Sequence, residues 1–253
     1  MRFEGRVVMV TGAGSGIGEG TARRFSQEGA NVVLLGDHER NIKRVARELP
    51  PERTMTLMAD VADWRAMERA VTAVVKKWRY LHVMVNNAGI FEGSTVLKTK
   101  PEEWERVIAT NAGGVFNGSR AALPHLLKTR GCIVNVSSVS GLRGDWNMSA
   151  YNASKGAVSN LTRAMALDYT SKGVRVNAVA PSFTLSEMTK GAAKNKRVME
   201  KFHERMPLGR VLLPEDIAAA IAFLASEDAR AISGVILPVD GGVTASNGQP
   251  AMG

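Results

Sequence analysis

Cysteine is almost absent from this chain of 253 residues, which contains only Cys132. A single cysteine cannot form an intramolecular disulfide, so the class of small secreted domains stabilised by disulfides is excluded. Because Cys132 lies in an apolar stretch, we expect a buried thiol and a reducing compartment. Histidine is also scarce. The four histidines show no paired ligand spacing, and we predict no metal site.

Long hydrophobic runs are missing as well. No stretch approaches the ~18 apolar residues of a membrane-spanning helix. The first strand pattern begins at Arg6, and nothing before it resembles the apolar core and cleavage site of a signal peptide. No linker, low-complexity segment or internal repeat divides the chain. We therefore expect one domain spanning residues 1–253, in a soluble cytoplasmic protein without a membrane partner.

Positive charge is in excess, with 33 lysines and arginines against 24 acidic residues and a formal net charge of +9. Such an excess raises the question of nucleic-acid binding. Glu200 and Glu204 interrupt the one local cluster of cations, and only Phe202 offers a ring for stacking. We therefore expect a solvated helix face and no nucleic-acid partner, with an anionic ligand as the alternative. The cluster contains Lys190, Lys194, Lys196, Arg197, Lys201 and Arg205.

Strand and helix patterns alternate along the chain, which predicts parallel strands joined by crossover helices. The predicted strands are 6–11, 31–35, 54–58, 82–86, 132–137, 174–179 and 236–239. The predicted helices are 16–28, 39–49, 64–79, 101–128, 150–171 and 214–225, with a less regular helical stretch at 187–205. The expected fold class is a single-domain, doubly wound α/β Rossmann fold, with a seven-stranded parallel sheet and helices on both faces. Its ligands should bind at the carboxyl ends of the strands.

A glycine-rich loop connects the first strand to the first helix. Residues 11–18 read Thr-Gly-Ala-Gly-Ser-Gly-Ile-Gly, with glycines at positions 12, 14, 16 and 18. Glycines allow a tight turn and a close approach to a pyrophosphate, whose charge the helix N-terminus stabilises. No Lys-Ser/Thr pair follows, which excludes a P-loop. The position of the loop favours a nucleotide site over a simple turn.

Acidic residues follow the second and third strands. Asp37 stands about 20 residues beyond the glycine loop, where a carboxylate accepts hydrogen bonds from the adenosine ribose and repels a 2′-phosphate. This favours NAD over NADP, although Arg40, Lys43 and Arg44 lie just downstream. Asp60 could accept a hydrogen bond from an adenine amino group. Helix N-capping is the alternative for both carboxylates.

Side-chain amides stand at two further places. Residues 86–89 read Asn-Asn-Ala-Gly, a sequence that suits close passage of a cofactor and is also common in turns. Asn111 lies inside a long helical pattern although asparagine is an indifferent helix former. Asn111 is therefore either a member of a buried polar network or the residue that holds a proton-relaying water.

The stretch from Ser138 to Lys155 contains the residues with the clearest catalytic chemistry. Tyr151 and Lys155 are four residues apart at the start of a helical pattern, so their side chains share one face. A nearby ammonium stabilises a phenolate and lowers the tyrosine pKa from about 10. The Ser138 hydroxyl, at a strand end, could bind a substrate oxygen beside the phenol. A surface Tyr–Lys pair without function is the alternative.

In their order on matching strand ends, these motifs resemble the short-chain dehydrogenase/reductase family. The resemblance covers essentially the whole chain and includes Val-Asn-Ala-Val-Ala-Pro at 176–181 and Pro-Val-Asp-Gly-Gly at 238–242. It implies that Tyr151 is the general acid–base and that Lys155 lowers its pKa and binds the nicotinamide ribose. It implies that Ser138 holds the substrate oxygen and Asn111 positions a relay water. The implied dinucleotide site comprises Gly12, Ser15, Gly16, Ile17, Gly18, Asp37, Asp60, Val61, Asn87, Ala88, Gly89, Tyr151, Lys155, Pro181, Phe183, Thr184 and Ser186.

Two positions depart from the family pattern. Ser182 follows Pro181 where the family usually has a glycine. If the backbone there needs a positive φ, serine costs ~1 kcal/mol and the nicotinamide packing changes. Ser186 replaces a threonine that commonly touches the pyrophosphate, and it keeps the hydroxyl.

The substrate depends on pocket-lining residues rather than on the fold. A helical lid at 187–210 would cover the site, together with Phe91 and Glu92. These surroundings fit a small or medium neutral alcohol. The stretches 123–135 and 239–250 look closer to the bacterial 2,3-butanediol (acetoin) dehydrogenases, so we take a secondary alcohol or vicinal diol and its ketone as the first hypothesis. The candidate substrate contacts are Ser138, Ser140, Asn147, Met148 and Tyr151.

Two other functions stay open. Arg130 and Lys172 resemble basic positions that hold the carrier in 3-oxoacyl-(acyl-carrier-protein) reductases, but these enzymes generally use NADPH, against which Asp37 argues. A dinucleotide-binding sensor or scaffold is the non-enzymatic alternative. The resemblance further implies a homotetramer packed through the helices at 101–128 and 150–171. The tail at 246–253 would then reach a neighbouring subunit.

Overall fold

Seven parallel strands form a single sheet. The computed structural model describes residues 1–247 and 249. The strands follow one another in space as β3-β2-β1-β4-β5-β6-β7, and every neighbouring pair is parallel. The order reverses between β1 and β4, which creates the crevice where ligands of such sheets bind. The strands are β1 (Val7–Thr11), β2 (Asn31–Gly36), β3 (Thr54–Met58), β4 (Val83–Asn86), β5 (Cys132–Val136), β6 (Arg175–Pro181) and β7 (Ile236–Val239).

Helices connect the strands and cover both faces of the sheet. The predicted doubly wound fold is therefore confirmed. The helices are α1 (Gly16–Gln27), α2 (Glu39–Ala46), α3 (Trp64–Trp78), α4 (Pro101–Ile108), α5 (Gly114–Thr129), α6 (Ser149–Tyr169), α7 (Lys190–Ala193), α8 (Lys196–Arg205) and α9 (Pro214–Ala225). Among the described residues, no helix is both long and apolar enough to cross a lipid bilayer.

Alternate residues of the central strand pack on opposite faces of the sheet. Val8 and Val10 of β1 join the cluster that contains Phe25 of α1. Met9 joins the cluster on the other face, with Met67 of α3. Every side chain of β1 is therefore buried, which is why this strand reads as a continuous apolar run. Cys132 is buried without a disulfide, as expected, and burial raises the pKa of its thiol to about 11.

The predicted helix at 101–128 is interrupted. Residues Ala109–Gly113 form one π-helical turn between α4 and α5. The Asn111 side chain lies inside this turn and pairs with the backbone of Ile90: its Oδ1 accepts from the Ile90 amide at 2.8 Å, and its Nδ2 donates to the Ile90 carbonyl at 2.9 Å. The extra residue that a π turn inserts allows Asn111 to point at the loop after β4.

The irregular helical stretch consists of α7 and α8. Asn195 caps α8, because its Oδ1 accepts from the Val198 amide at 3.3 Å. All six cations of the basic cluster are exposed, and Lys190 pairs with Glu187 at 3.4 Å. The last part of the predicted subunit-contacting tail, residue 248 and residues 250–253, lies outside the described residues.

A histidine accepts a hydrogen bond at the amino end of the sheet, where the Val7 amide donates to His82 Nδ1 at 3.0 Å. Burial, and secondarily the charge of Arg6, lowers the pKa of His82 to about 4. The unfolded chain therefore takes up a proton near pH 6.5 that the folded chain does not accept until about pH 4. Stability contributed by the neutral ring is complete above pH 6.5 and is lost as the pH falls towards 4.

We predict that His82→Asn, which keeps an acceptor for the Val7 amide but cannot titrate, flattens this acid dependence. Between pH 7 and pH 5, wild type should lose about 1 kcal/mol more unfolding free energy than the variant, after allowance for solvent screening of a half-buried ring. Urea unfolding at both pH values measures this difference. Equal losses in the two proteins would contradict the assignment.

Candidate active site

The glycine loop lies against the end of β4 with no room for side chains. Gly12 has φ +63°, and a Cβ there would lie 2.9 Å from the Ala88 Cα. Gly16 has φ +52°, and a Cβ there would lie 3.0 Å from the Ser186 Cβ. Only glycine therefore combines this backbone conformation with this close approach. The loop, the end of β4 and Ser186 converge at the carboxyl edge of the sheet, in front of the N-terminus of α1.

Asn87 and Thr11 connect the carboxyl ends of β1 and β4. The Asn87 Nδ2 donates to the carbonyl oxygens of Thr11 at 2.9 Å and Gly12 at 3.3 Å. The Thr11 Oγ1 accepts from the amides of Asn87 at 2.9 Å and Ala88 at 3.0 Å. These four bonds hold the glycine loop in shape. The sequence analysis did not identify the role of Thr11, although this residue stands within the loop motif.

The capping alternatives for the two carboxylates are wrong. Residue His38 is the N-cap of α2, and Asp63 caps α3 by accepting from the Arg65 and Ala66 amides. Asp60 instead accepts from the Ala62 amide at 2.9 Å in a local turn. Asp37 is exposed at the end of β2 and pairs with the His38 ring at 2.7 Å, which raises the pKa of His38.

Two of the cations near Asp37 have acidic partners. Lys43 pairs with Glu39 at 2.7 Å. Arg44 hydrogen-bonds Glu19 at 2.9 Å and donates to the Gly14 carbonyl at 3.1 Å. The Arg44 guanidinium therefore supports the glycine loop, and its charge is balanced by a carboxylate on α1.

Ser138 and Tyr151 meet beyond the end of β5. Ser138 is buried and begins a short 3-10 turn at Val139–Gly141, where its Oγ accepts from the Ser140 amide at 3.2 Å. Burial raises the pKa of Tyr151, and its hydrogen bond with Ser138 opposes that rise by favouring the phenolate. The phenol is therefore protonated at neutral pH in this structure. This direction differs from the lowering expected from Lys155.

Lys155 is 4% exposed, and its Nζ donates to the Val136 carbonyl oxygen at 2.8 Å. Burial lowers the pKa of this ammonium to about 8. The Nζ lies 5.7 Å from the Tyr151 ring centroid. Within the described residues, Val136 supplies the one hydrogen-bond acceptor of this ammonium, so that two of its three N–H groups can serve a ligand.

Asn111 belongs to the buried polar network that the sequence analysis offered as one alternative. Besides its two bonds to Ile90, its Nδ2 donates to the Ser154 Oγ at 3.0 Å. Both N–H groups of the side chain are therefore used in joining the π turn to α6 and to the loop after β4. A Cβ at Gly89 would lie 3.1 Å from the Asn111 Oδ1 and 3.5 Å from the Lys155 Nζ. The absence of a side chain at Gly89 leaves space beside both groups.

The loop between the 3-10 turn and α6 borders Tyr151. Ser140 is buried, Met148 is half-buried and Asn147 is exposed with φ +54°, a conformation that asparagine tolerates. The Phe91 ring meets the Tyr151 ring edge-on, with centroids 5.3 Å apart. The Ser149 amide donates to the Ser94 carbonyl at 3.1 Å, so this loop and the loop after β4 lie side by side.

Asp145 is a charged residue of this loop that the sequence analysis did not identify. Its Oδ2 accepts from the Ser140 Oγ at 3.3 Å, and its charge raises the pKa of Tyr151. No motif marks this position, and only the path of the loop brings the carboxylate towards the phenol.

Glu92, beside Phe91, forms an ion pair with Arg106 of α4. This carboxylate therefore has a cationic partner within the same subunit, and its charge is balanced.

The segment after β6 closes the far side of the crevice. Among the described non-glycine residues, only Arg79, Arg130 and Asn147 have positive φ, so Ser182 carries none of the backbone strain that its departure from the family pattern suggested. The Ser182 Oγ donates to the Asp240 carbonyl at 3.1 Å. Thr184 is buried, and its Oγ1 donates to the Ser182 carbonyl at 3.0 Å.

Phe183 ties this segment to the helices that follow it. Its ring packs on the Phe202 ring of α8 with centroids 4.3 Å apart. Pro181 ends β6 and is buried. Ile17 and Val61, two further apolar members of the predicted dinucleotide site, stand at the start of α1 and after β3.

These residues fit a dinucleotide. The glycine loop leaves a cradle that a Cβ would fill, the N-terminus of α1 faces it, and Lys155 has free donors beside Gly89. Ser15 stands at the N-cap of α1 with no side-chain capping bond, which leaves its hydroxyl for a ligand. The described residues contain no group of three or more His, Cys, Asp or Glu side chains that could hold a metal ion.

The comparisons with known proteins agree with this geometry. The family model described as enoyl-(acyl carrier protein) reductase matches residues 12–244. The meso-2,3-butanediol dehydrogenase of Serratia marcescens is 51% identical over 250 residues, 99% of each chain. The 3-oxoacyl-(acyl-carrier-protein) reductase FabG of Thermotoga maritima is 38% identical over 246 residues, 96% of this chain and 99% of the relative.

A solved structure of a reductase is also similar to this chain. The 3-ketoacyl-(acyl-carrier-protein) reductase from Brucella melitensis complexed with NADH superposes with a TM-score of 0.88 at 34% identity, covering 95% of this chain and 99% of that one. The chain therefore belongs to the short-chain dehydrogenase/reductase family. It is an enzyme, a short-chain alcohol dehydrogenase or ketone reductase of a family that uses NAD or NADP.

The Tyr151–Ser138 pair generates a prediction about proton transfer. Tyr151→Phe removes the hydroxyl but keeps the ring, and turnover should fall by about 10²–10⁴-fold, the usual contribution of a positioned acid–base group. Cofactor affinity, measured by fluorescence titration, should stay close to wild type. The matched control is Tyr169→Phe, at the opposite end of α6. A Tyr151→Phe enzyme with wild-type turnover would contradict the prediction.

Proposed function

We propose that this enzyme transfers hydride between NAD and a small secondary alcohol, with a vicinal diol and its hydroxyketone, such as 2,3-butanediol and acetoin, as the substrate pair. The observation that carries the proposal is 51% identity, over 99% of each chain, to a meso-2,3-butanediol dehydrogenase. The surroundings of Tyr151 support it, because they combine the Phe91 ring with the hydroxyls of Ser138 and Ser140. A small neutral molecule with two oxygens matches this combination.

The catalytic roles follow from the contacts around the phenol. The nicotinamide, when bound, accepts the hydride in oxidation and returns it in reduction. Tyr151 holds a proton at neutral pH because burial raises its pKa, so it can donate that proton to the oxygen of a ketone. Ser138, whose hydroxyl lies beside the phenol, orients the same oxygen. In oxidation Tyr151 takes the alcohol proton as a phenolate, so we expect the oxidation rate to increase with pH.

Lys155 and Asn111 position the other groups. Lys155 is held by Val136, and its remaining N–H groups would donate to the ribose of the cofactor. The Asn111 side chain binds Ile90 and Ser154 and so holds the π turn in place. We therefore propose that protons are relayed through the space beside Gly89, which Asn111 borders, and not through a free Asn111 amide. The segment 187–210, which contains α7 and α8, acts as a lid over the substrate through the Phe183–Phe202 contact.

A substrate panel tests the proposal. Steady-state rates are measured with 2,3-butanediol, acetoin and 2-butanol, and with acetoacetyl thioesters, each with both cofactors. We expect the highest kcat/KM for the diol and the hydroxyketone with NAD or NADH. An enzyme that turns over neither 2,3-butanediol nor acetoin would refute the proposal. Preferred turnover of the acetoacetyl thioester with NADPH would instead indicate the carrier-protein reductase function.

The positions of two cations argue against a carrier docked beside the site of the same subunit. Arg130 ends α5 just before β5, and Lys172 stands just before β6. In a parallel sheet the amino ends of strands lie at the edge opposite their carboxyl ends. Within one subunit these two residues are therefore remote from Tyr151, where the thioester would have to react.

We propose NAD as the preferred cofactor. Asp37 presents an exposed carboxylate at the end of β2, and the neighbouring Lys43 and Arg44 have glutamate partners. The Brucella melitensis neighbour, described as complexed with NADH, is compatible with this choice.

Replacing the carboxylate should relax this preference. In Asp37→Asn, the ratio of kcat/KM for NAD to that for NADP should fall by about tenfold, equal to about 1.4 kcal/mol of lost repulsion. Glu52→Gln, an exposed carboxylate near the opposite end of β3, is the matched control and should leave the ratio unchanged. An unchanged ratio in Asp37→Asn would show that another group excludes the 2′-phosphate.

We further propose a homotetramer. Large apolar side chains are exposed on the helices that the family resemblance assigns to subunit contacts: Trp104 of α4, Phe116 of α5 and Leu167 of α6 are 43%, 51% and 84% exposed. Exposed apolar surface of this kind is typical of an interface. Sedimentation equilibrium, which gives the mass in solution, distinguishes a tetramer from a monomer or dimer.

A further inference from the structure

A carboxylate lies in the loop that borders Tyr151, near the phenol. Asp145 is half-buried in the loop between the Val139–Gly141 turn and α6. Ser138 contacts Tyr151, and two residues later the Ser140 Oγ donates to the Asp145 Oδ2 at 3.3 Å. The polar groups therefore form a row that leads from the phenol through Ser140 to Asp145.

The loop does not need this charge for its shape. The N-cap of α6 is Met148, so Asp145 does not cap the helix. The Asn152 Nδ2 anchors the loop by donating to the Asp145 backbone carbonyl at 2.8 Å, a bond that is independent of the side chain. The Trp146 amide donates to Oδ1 at 3.0 Å, which an asparagine oxygen could accept equally. The Oδ2 atom, facing Ser140, is thus the part of the carboxylate without a role in holding the backbone.

An ionised carboxylate can only accept hydrogen bonds. At the end of this row it attracts a hydroxyl on the carbon next to the reacting one, and it repels a second carboxylate placed there. The charge of Asp145 reaches the reacting phenol, because it contributes to the raised pKa of Tyr151. A substrate bound to Tyr151 therefore experiences the same negative field.

We propose that Asp145 determines substrate specificity: its Oδ2 accepts a hydrogen bond from the second hydroxyl of a vicinal diol, and its charge excludes 2-hydroxy acids. This inference rests on the proposed function and extends it to the group that distinguishes a diol from a simple alcohol. Ser140 is the positioning residue, since its hydroxyl holds Oδ2 in place.

The test removes the charge of Asp145 and keeps the shape of its side chain. In Asp145→Asn the amide oxygen can keep the bond from the Trp146 amide, which places the NH₂ group where Oδ2 stood. A donor then occupies the position of the acceptor. Steady-state kinetics are measured for 2,3-butanediol, 2-butanol and lactate with NAD. Asp168→Asn, an exposed aspartate near the end of α6, is the matched control.

We expect kcat/KM for 2,3-butanediol to fall by about tenfold or more, mainly through KM, as for the loss of a hydrogen bond to a charged group. The value for 2-butanol should not fall, because loss of the Asp145 charge lowers the pKa of Tyr151 and favours the phenolate that takes the alcohol proton, and lactate oxidation should increase. Ser140→Ala removes the hydroxyl that holds the Asp145 Oδ2 in place. In this variant the ratio of kcat/KM for 2,3-butanediol to that for 2-butanol should fall by a smaller factor.

Three outcomes would overturn the proposal. A parallel fall for the diol and 2-butanol in Asp145→Asn would show a structural role. Unchanged kcat/KM values for both alcohols would show that Asp145 does not touch the substrate, while the proposed function would still stand. A wild-type enzyme that oxidises neither alcohol would contradict the proposed function itself, and this inference with it.

Discussion

A single buried ammonium constrains the catalytic end of the molecule. Burying a charge is costly unless the charge is hydrogen-bonded, and Lys155 meets this requirement through the carbonyl oxygen of Val136, the last residue of β5. The bond ties the first turns of α6 to the end of a central strand. Tyr151 lies one turn before Lys155 on the same helix, so the bond that satisfies the lysine also sets the depth and direction of the phenol. The lowered pKa of Lys155, about 8, reflects the remaining cost of burial.

Buried polar side chains extend this constraint through the sheet. The Asn86 Nδ2 donates to the Asn135 Oδ1 at 2.9 Å, which joins β4 to β5. The Asn135 Nδ2 in turn donates to the Thr162 Oγ1 of α6 at 2.9 Å. Because unpaired polar groups are expensive in such a core, this chain of amides permits only one register between the two strands and the helix. The catalytic residues thus sit on elements that cannot slide past one another.

Sequence reasoning predicted the elements well because their signals are local. Continuous apolar runs and the glycine loop marked the strands and the crevice, and β3 and β7 coincide with the structure at both ends. The prediction of the elements failed where an element depends on a contact between residues that are distant in the chain. The interruption of the helix at Asn111 depends on the backbone of Ile90, 21 residues away in the chain, and the sequence around Asn111 shows only a poor helix former, not this contact.

The same limit applies to the electrostatics of the site. Spacing alone suggested that Lys155 acidifies Tyr151, whereas the depth of the phenol and the carboxylate of Asp145 shift the pKa the other way. Spacing reports which side chains share a helix face, but it does not report how much water surrounds them. Ser182 is the converse case: comparison with a family pattern suggested backbone strain, and the actual path of the chain after β6 avoids it.

The π turn at Ala109–Gly113 makes the length of this segment as important as its composition. The extra residue is what widens this turn. A deletion of one residue here would close the turn into a regular helix and leave α5 in phase, with Leu123 and Leu126 still facing the core. Asn111 would then lose the wide turn from which its amide reaches the backbone of Ile90. The damage from such a deletion would therefore fall on the loop after β4 and on the space beside Gly89, and not on the packing of α5.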